Sequence, residues 1–299
     1  MRIVAALVIS LTASATAHAQ GVGPIREALK MVLSQLLDTP SPVQFSFVDV
    51  AALRELGGQK GISPTLAERA IVGDALPHFV GLRARGVDYW AERSLLDLAN
   101  TRYFAASGLQ PLIWGLDSKD TATDTIAALD ALDFDSVGEA MFSNGGASDP
   151  AELESFDPWR SGGRHHSFIA AKGTAIIQAI APEWVEATLN DEPSMADSDV
   201  VSAALGGIEA TLGDGTLVQA VLMTPLAGLG GVDTGMLLNG RPTLEEMRDK
   251  LESELEPETE GLPSYLGGFI GDVQGEHPGV LISLAYPDCA TAERAAAQM

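Results

Sequence analysis

The sequence has little cysteine, little positive charge and no long hydrophobic run. Its 299 residues include one cysteine, and 18 lysine and arginine residues stand against 41 aspartate and glutamate residues, a formal net charge of −23. A single cysteine excludes an intramolecular disulfide framework and a cysteine-based zinc finger. The acid excess repels phosphate backbones, so nucleic acid is not an expected partner. An apolar fraction of 46% excludes a disordered chain.

Catalytic motifs that can be recognised in a single sequence are also missing. There is no G-x-S-x-G nucleophile elbow, no H-E-x-x-H zinc motif and no Walker loop. The stretch from Gly228 to Asp233 has aspartate where a dinucleotide fingerprint needs its third glycine, and we interpret it as a surface loop. The sequence therefore predicts no catalytic residues, no cofactor and no resident metal, and it favours a non-catalytic protein while leaving enzyme activity open.

The first 19 residues have the pattern of a secretory signal peptide. Arg2 gives a short positive region, an apolar run follows from Ile3 to Leu11, and Ala17-His18-Ala19 forms an A-x-A cleavage site. The run is far shorter than the roughly 20 residues that span a bilayer, and no later segment is long enough. We predict a soluble periplasmic or secreted protein, cleaved near Ala19, whose mature chain has no transmembrane segment. The alternative is a short buried N-terminal helix.

Apolar periodicity in the remaining chain predicts an α+β fold. Alternation predicts a strand over 43–50, and Lys172-Gly173 separates the two strands of a hairpin. We predict two related halves, residues 20–150 and 151–299, each an antiparallel sheet packed against helices. The elements on which this prediction depends include a helix over 25–37, strands over 103–106 and 112–116, a helix from Asp120, a hairpin over 166–180, a helix from Pro182, a helix capped by Asp197 or Ser198, a strand over 280–284 and a helix over 290–297.

A short internal match suggests that the halves arose by duplication. Residues 120–128 and 288–296 coincide at five of nine positions, and each segment follows an apolar strand. Chance similarity between alanine-rich segments is the alternative explanation.

The order strand–turn–strand–helix, followed by the phrase Ser194-Met-Ala-Asp-Ser-Asp-Val200 before a long helix, resembles a group of bacterial cell-envelope proteins of unknown function. In that group a ferredoxin-like α+β unit is duplicated, and a phrase SLAD-x-P precedes a helix. Met195 and Asp199 depart from the pattern, where the group has leucine and proline. The resemblance implies an exported, non-catalytic protein with a ferredoxin-like duplication, and it supplies no binding or catalytic residues.

The candidate binding residues lie in a polar loop over 144–163 or just after it. Trp159 beside Arg160, in a segment rich in glycine and proline, has the character of an interface anchor. His165 and His166 begin the following strand, where neighbouring side chains point to opposite faces, so they do not chelate one metal together. The alternatives are a core tryptophan and a pair of histidines at the edge of a loop.

Two functions remain open. In the first, the protein is a binding or scaffold protein of the envelope that contacts another envelope protein or a small ligand through the central loop. In the second, it is a periplasmic hydrolase that uses His166 with carboxylates from elsewhere, with or without a metal. The acidic surface either attracts a basic partner or is simply solvated. We expect Cys289 to be a buried small side chain, with modification or pairing with another chain as alternatives.

Overall fold

A computed structural model describes most of the chain after residue 20. The described residues are 21–39, 41, 43–56, 86–108, 111–138, 140–145, 158–159, 166–225, 262–276 and 278–298. The glycine-rich segment 228–233 lies outside them, as do residues 1–19, for which a signal peptide stays a prediction.

In the part of the chain that the structure describes, ten strands form one antiparallel sheet. They are β1 (Val43–Asp49), β2 (Thr101–Ala106), β3 (Leu112–Leu116), β4 (Asp135–Ser136), β5 (Met141–Ser143), β6 (Phe168–Lys172), β7 (Ala175–Ala179), β8 (Thr216–Met223), β9 (Gly267–Gln274) and β10 (Gly279–Ala285). Across the sheet the order is β10-β9-β8-β1-β2-β3-β7-β6-β5-β4, and every neighbouring pair is antiparallel. Mixed helix and antiparallel sheet confirm the predicted α+β class.

Seven α-helices are described, and most of them start or stop at residues that explain their limits. They are α1 (Gly23–Leu29), α2 (Val50–Leu56), α3 (Val87–Ser94), α4 (Lys119–Ala128), α5 (Pro182–Leu189), α6 (Asp199–Leu212) and α7 (Cys289–Gln298). Ser118 and Ser198 accept hydrogen bonds from the backbone N–H groups of Thr121 and Val201, which caps α4 and α6. The predicted helix over 25–37 is wrong in one respect, because α1 ends at Leu29 and a 3₁₀ turn follows at Ser34–Asp38.

Both faces of the sheet are covered. One buried cluster joins α1, α5 and α6 to a face that includes Phe47, Tyr103 and Ile113. The other joins α3 and α4 to the opposite face, which includes Phe104 and Trp114. Because successive residues of a strand point to opposite faces, a central strand covered on both sides is apolar at nearly every position. This explains why Leu112–Leu116 is a continuous apolar run with no polar side.

The strand order interleaves the two predicted halves. Strands β1–β3 and β4–β5 come from residues 20–150, whereas β6–β7 and β8–β10 come from residues 151–299. Their positions across the sheet alternate, so that each half contributes two separate blocks of neighbouring strands. The sheet therefore forms one continuous body in the described part of the chain.

Two three-stranded meanders meet at the β1–β8 pair. One runs β1-β2-β3 and continues into α4, and the other runs β8-β9-β10 and continues into α7. The matched segments 120–128 and 288–296 lie in these two helices, but the helix starts do not coincide. Asp288 holds the capping position before α7 that Ser118 holds before α4, and it accepts the backbone N–H of Thr291. The strand order within each meander is sequential, and a ferredoxin-like duplication stays a prediction.

Candidate functional site

Trp159 lies in the core, not on the surface. Its side chain has no exposed area, and its ring stacks on Trp114 with centroids 3.9 Å apart and planes inclined by 19°. Trp90 stacks on Trp114 as well, at 5.8 Å and 20°. The indoles of Trp90, Trp114 and Trp159 therefore form one buried stack on the face of β3 from which Trp114 projects. Trp159 is therefore buried in this structure and offers no surface to a partner. Its environment is that of a core tryptophan, which was the alternative to an interface anchor.

Gln178 connects this stack to the strands. Its side-chain oxygen accepts the indole N–H of Trp114 at 3.1 Å. Its amide nitrogen donates to the backbone oxygen of Trp159 at 2.6 Å and lies 3.2 Å from the hydroxyl of Ser167. A buried amide without partners costs free energy, and these bonds satisfy both ends of the side chain. Gln178 thus holds the Trp159 segment against β7.

His166 is fastened at the start of β6. It is nearly buried, and its Nδ1 lies 3.2 Å from the backbone oxygen of Asn144. A carbonyl oxygen only accepts, so Nδ1 carries the proton in this contact. A Cβ on Gly145 would lie 2.8 Å from the imidazole ring, which shows how closely the ring packs on that backbone. The side chain of Asn144 also accepts the backbone N–H of Ser167 at 2.9 Å.

The other two predicted binding residues, Arg160 and His165, lie outside the described residues. Their roles stay predictions. Within the described ranges no group of three histidine, cysteine, aspartate or glutamate side chains is placed to hold a metal ion.

A shallow, open cleft lies beside the tryptophan stack in the described part of the chain. It has a volume of about 230 Å³ and lies between the turn before β2 and helix α4. It is lined by Leu95, Leu96, Asp97, Asn100, Thr121, Asp124 and Thr125. The indole N–H of Trp159 donates to the backbone oxygen of Ser94 at 2.9 Å, which fastens the turn that forms one wall. Leu95 adopts a left-handed conformation in this turn, with φ of 56°.

The lining of the cleft is acidic and rich in oxygen. Asp97 accepts the backbone N–H of Ala99, and Thr121 donates to Asp117 at 2.6 Å, so these two side chains also hold the walls in place. Asp124 and Asn100 lie on opposite walls, on α4 and on the 3₁₀ turn at Leu98–Asn100. Such a site suits a ligand with a cationic group and hydrogen-bond donors. Sequence reasoning missed it because two distant segments form it, and neither has a motif.

Asp49 is a buried acid that sequence reasoning also missed. It is 1% exposed at the end of β1, and its carboxylate accepts the backbone N–H of Ala52 at 2.8 Å. Burial raises the pKa of Asp49 to about 6, although the Ala52 N–H and the charge of Arg102 oppose the rise. Burial likewise raises the pKa of the hydroxyl of Tyr103, which lies opposite Asp49 on β2. The spacing of an aspartate before Val-Ala-Ala could have indicated this helix cap.

The expectation of a buried Cys289 is wrong. The residue is exposed at the first position of α7, one residue after the capping Asp288. The capping side chain occupies the helix start, and the thiol is left on the surface.

The described part of the chain contains no helix long and apolar enough to cross a membrane. Comparison with known proteins found no matching family model, no matching curated protein and no matching solved structure.

Proposed function

We propose that the protein is an exported, non-catalytic binding or scaffold protein of the bacterial cell envelope. Two features support the proposal. The N-terminal segment has the three parts of a signal peptide. His166 and Trp159, the two candidate site residues that the structure describes, make contacts within the fold.

The observation that carries the proposal is the environment of His166 and Trp159. His166 donates to a backbone oxygen and packs on Gly145, and Trp159 is sealed between Trp114 and the backbone of Ser94. A general base needs a ring nitrogen within reach of a substrate, and an interface anchor needs exposed area. Trp159 has no exposed area and His166 is only 6% exposed, which supports a structural role for both side chains.

The cleft is the proposed contact point. Asp97 and Asp124 give it negative charge, and Asn100 adds an amide. Charge of one sign in a concave surface raises the local concentration of the opposite charge. The occupant is therefore a cationic group, from a basic side chain of another envelope protein or from a small polyamine.

A second part of the proposal concerns origin. The two meanders each end in a capped helix, which supports the duplication suggested by residues 120–128 and 288–296. The resemblance of the segment from Ser194 to Val200 to the envelope proteins gives independent support. In this chain Asp197 bonds the backbone N–H and the hydroxyl of Ser194, both at 2.8 Å, and Ser198 caps α6. The phrase thus has a physical role as two consecutive caps.

Export is tested by expressing the full chain in a bacterium and measuring intact mass in the periplasmic fraction. We expect a mature chain that begins at Gln20. Ala19→Arg changes the residue before the cut and is expected to leave the full-length precursor, whereas His18→Arg changes the tolerated middle position and is expected to be processed. A full-length wild-type chain in the cytoplasm would contradict the export proposal.

Binding is tested with spermidine as the probe, by thermal shift and by calorimetry. Asp124→Asn removes one charge from the cleft, and Asp120→Asn removes the same charge from an exposed position of the same helix outside the lining. We expect the first variant to weaken spermidine binding several-fold at low salt and the second to leave it unchanged. Equal effects of the two variants, or no binding by the wild type, would contradict the cleft as the contact point.

A further inference from the structure

The two edges of the sheet differ in how they are protected against pairing. The edge strand β4 has only two residues, Asp135 and Ser136, and both are exposed. A short edge strand with a charge is a common device against edge-to-edge association. At the opposite edge, β10 has seven residues, and none of the seven is charged or proline. Within the sheet that the structure describes, one edge is therefore protected against pairing and the other is competent to pair.

The apolar side chains of β10 are also exposed. Val280 is 64% exposed and Ile282 is 62% exposed, the two highest values among the large hydrophobic residues that the structure describes as exposed. They lie on one side of the strand, because alternate residues share a face. Leu281 points the other way and packs against the core that α6 covers. Strand β10 thus combines an edge position in the described sheet with an uncovered apolar row.

The third strand of the other meander, β3, shows which kind of strand pairs with such an edge. Strand β3 pairs on its outer side with β7, antiparallel, from Leu112 opposite Gln178 to Gly115 opposite Ala175. Strand β7 is an uncharged strand of five residues. In this chain, therefore, the outer edge of β3, the third strand of its meander, pairs with an uncharged antiparallel strand.

We propose that β10 pairs with β10 of a second copy of this chain, antiparallel and centred on Ile282, which joins two sheets into one. This register places Ile282 opposite Ile282 and Val280 opposite Leu284. Every opposed pair within the strand is uncharged, which matters because a chain with net charge −23 repels its own copies over most of its surface. The inference is independent of the proposed export and of the cleft.

Charge at the ends of the interface predicts how the dimer responds to salt. In the proposed register Glu276 of one copy lies opposite Asp288 of the other, just outside the paired strands. Like charges that face each other weaken association, and salt screens them. The dimer is therefore expected to become tighter as ionic strength rises. A complex of the same strand with a basic partner protein would instead become weaker.

The first test is the molar mass of the purified chain by light scattering as a function of concentration and salt. We expect a dimer that is favoured at high salt. Ile282→Lys adds a charge to the centre of the interface and is expected to give a monomer, while Val137→Lys, at an exposed valine that is 43% accessible near the protected edge, leaves the dimer intact. A wild-type monomer at all concentrations, or a dimer that Ile282→Lys does not change, would overturn the proposal.

The second test fixes the register without relying on a disruptive variant. In a Cys289→Ser background, Ile282→Cys places two thiols opposite each other across the two-fold axis. Opposed residues of antiparallel strands have Cα atoms about 4.5–5.5 Å apart, which is within the range of a disulfide. Val280→Cys is equally exposed, but its two copies would lie on the order of 13 Å apart along the strands. Cross-linking of the first variant alone supports the proposal; cross-linking of both to the same extent, or of neither, contradicts it.

Discussion

Trp114 and Trp159 stack with ring centroids 3.9 Å apart, although one lies in a central strand and the other in a segment between strands. This contact, with the bonds from Gln178 and Ser94, attaches the loop segment to the core. A residue with the sequence character of an interface anchor thus stabilises the fold.

Trp159→Ala is expected to lower the free energy of unfolding by about 3–5 kcal/mol, because it removes a large buried ring and leaves a cavity beside Trp114. Leu95→Ala, at a residue that is 40% exposed in the neighbouring turn, is the control and is expected to change it by less than about 1 kcal/mol. Urea unfolding followed by circular dichroism measures both. Similar small effects of the two substitutions would show that the stack is not part of the stable core.

Gly115→Ala tests the packing of the opposite face. A Cβ at this position would lie 2.2 Å from the ring of Tyr103, which is itself buried, so the strands or the ring must move. We expect a loss of about 1–3 kcal/mol in the free energy of unfolding.

The matched control is Gly206→Ala, in the middle of α6. Nothing lies within 4 Å of the Cβ that it adds, and alanine is the better helix former. This variant is expected to gain about 1 kcal/mol. Chemical denaturation of both variants checks the pair, and the two changes must have opposite signs for the described packing to be correct.

The buried Asp49 predicts a pH dependence of stability. Its pKa rises from 3.8 to about 6 on folding, so the folded state binds more protons than the unfolded state between these values. The contribution of this group therefore becomes less favourable as pH rises from about 4 to 6 and is constant above that range. Two pKa units correspond to about 3 kcal/mol, an upper bound on the effect.

Asp49→Asn keeps an oxygen that can accept the Ala52 N–H but removes the ionisation. At pH 7.5 the variant is expected to be more stable than the wild type by up to about 3 kcal/mol, and the difference should vanish near pH 4. Asp38→Asn, at an exposed aspartate, is the control. Thermal unfolding across this pH range measures the difference. A gain that is the same at pH 4 and pH 7.5 would show that desolvation of the carboxylate is not its cause.

Local elements of the fold could be predicted from the sequence because their signals are local. Strand β1 covers 43–49 within the predicted 43–50, and the hairpin turns at Gly173, whose φ of 61° suits glycine. The helix that begins at Pro182 and the cap at Ser198 are also confirmed. In each case a cap, a turn residue or an apolar period fixes the element without reference to the rest of the chain.

The pairing of strands and the surface site could not be predicted, because both depend on contacts between distant segments. Nothing in the composition of β1 indicates that it lies between β2 and β8. Strand β9, which has three glycines among eight residues, lacks the usual strand composition and was missed. Trp159 and His166 were singled out by residue type, but burial and hydrogen bonding decide what these side chains do.

The structural role proposed for His166 is tested by comparing wild type with His166→Ala for metal content, hydrolysis of generic ester and phosphate substrates, and thermal unfolding. For a non-catalytic protein we expect no hydrolysis above background in either protein and no stoichiometric metal that the substitution removes. We also expect a lower melting temperature for the variant, because a packed ring and its bond to Asn144 are lost. A wild-type protein that hydrolyses a substrate or holds a metal, and a folded variant that has lost that activity or that metal, would contradict it.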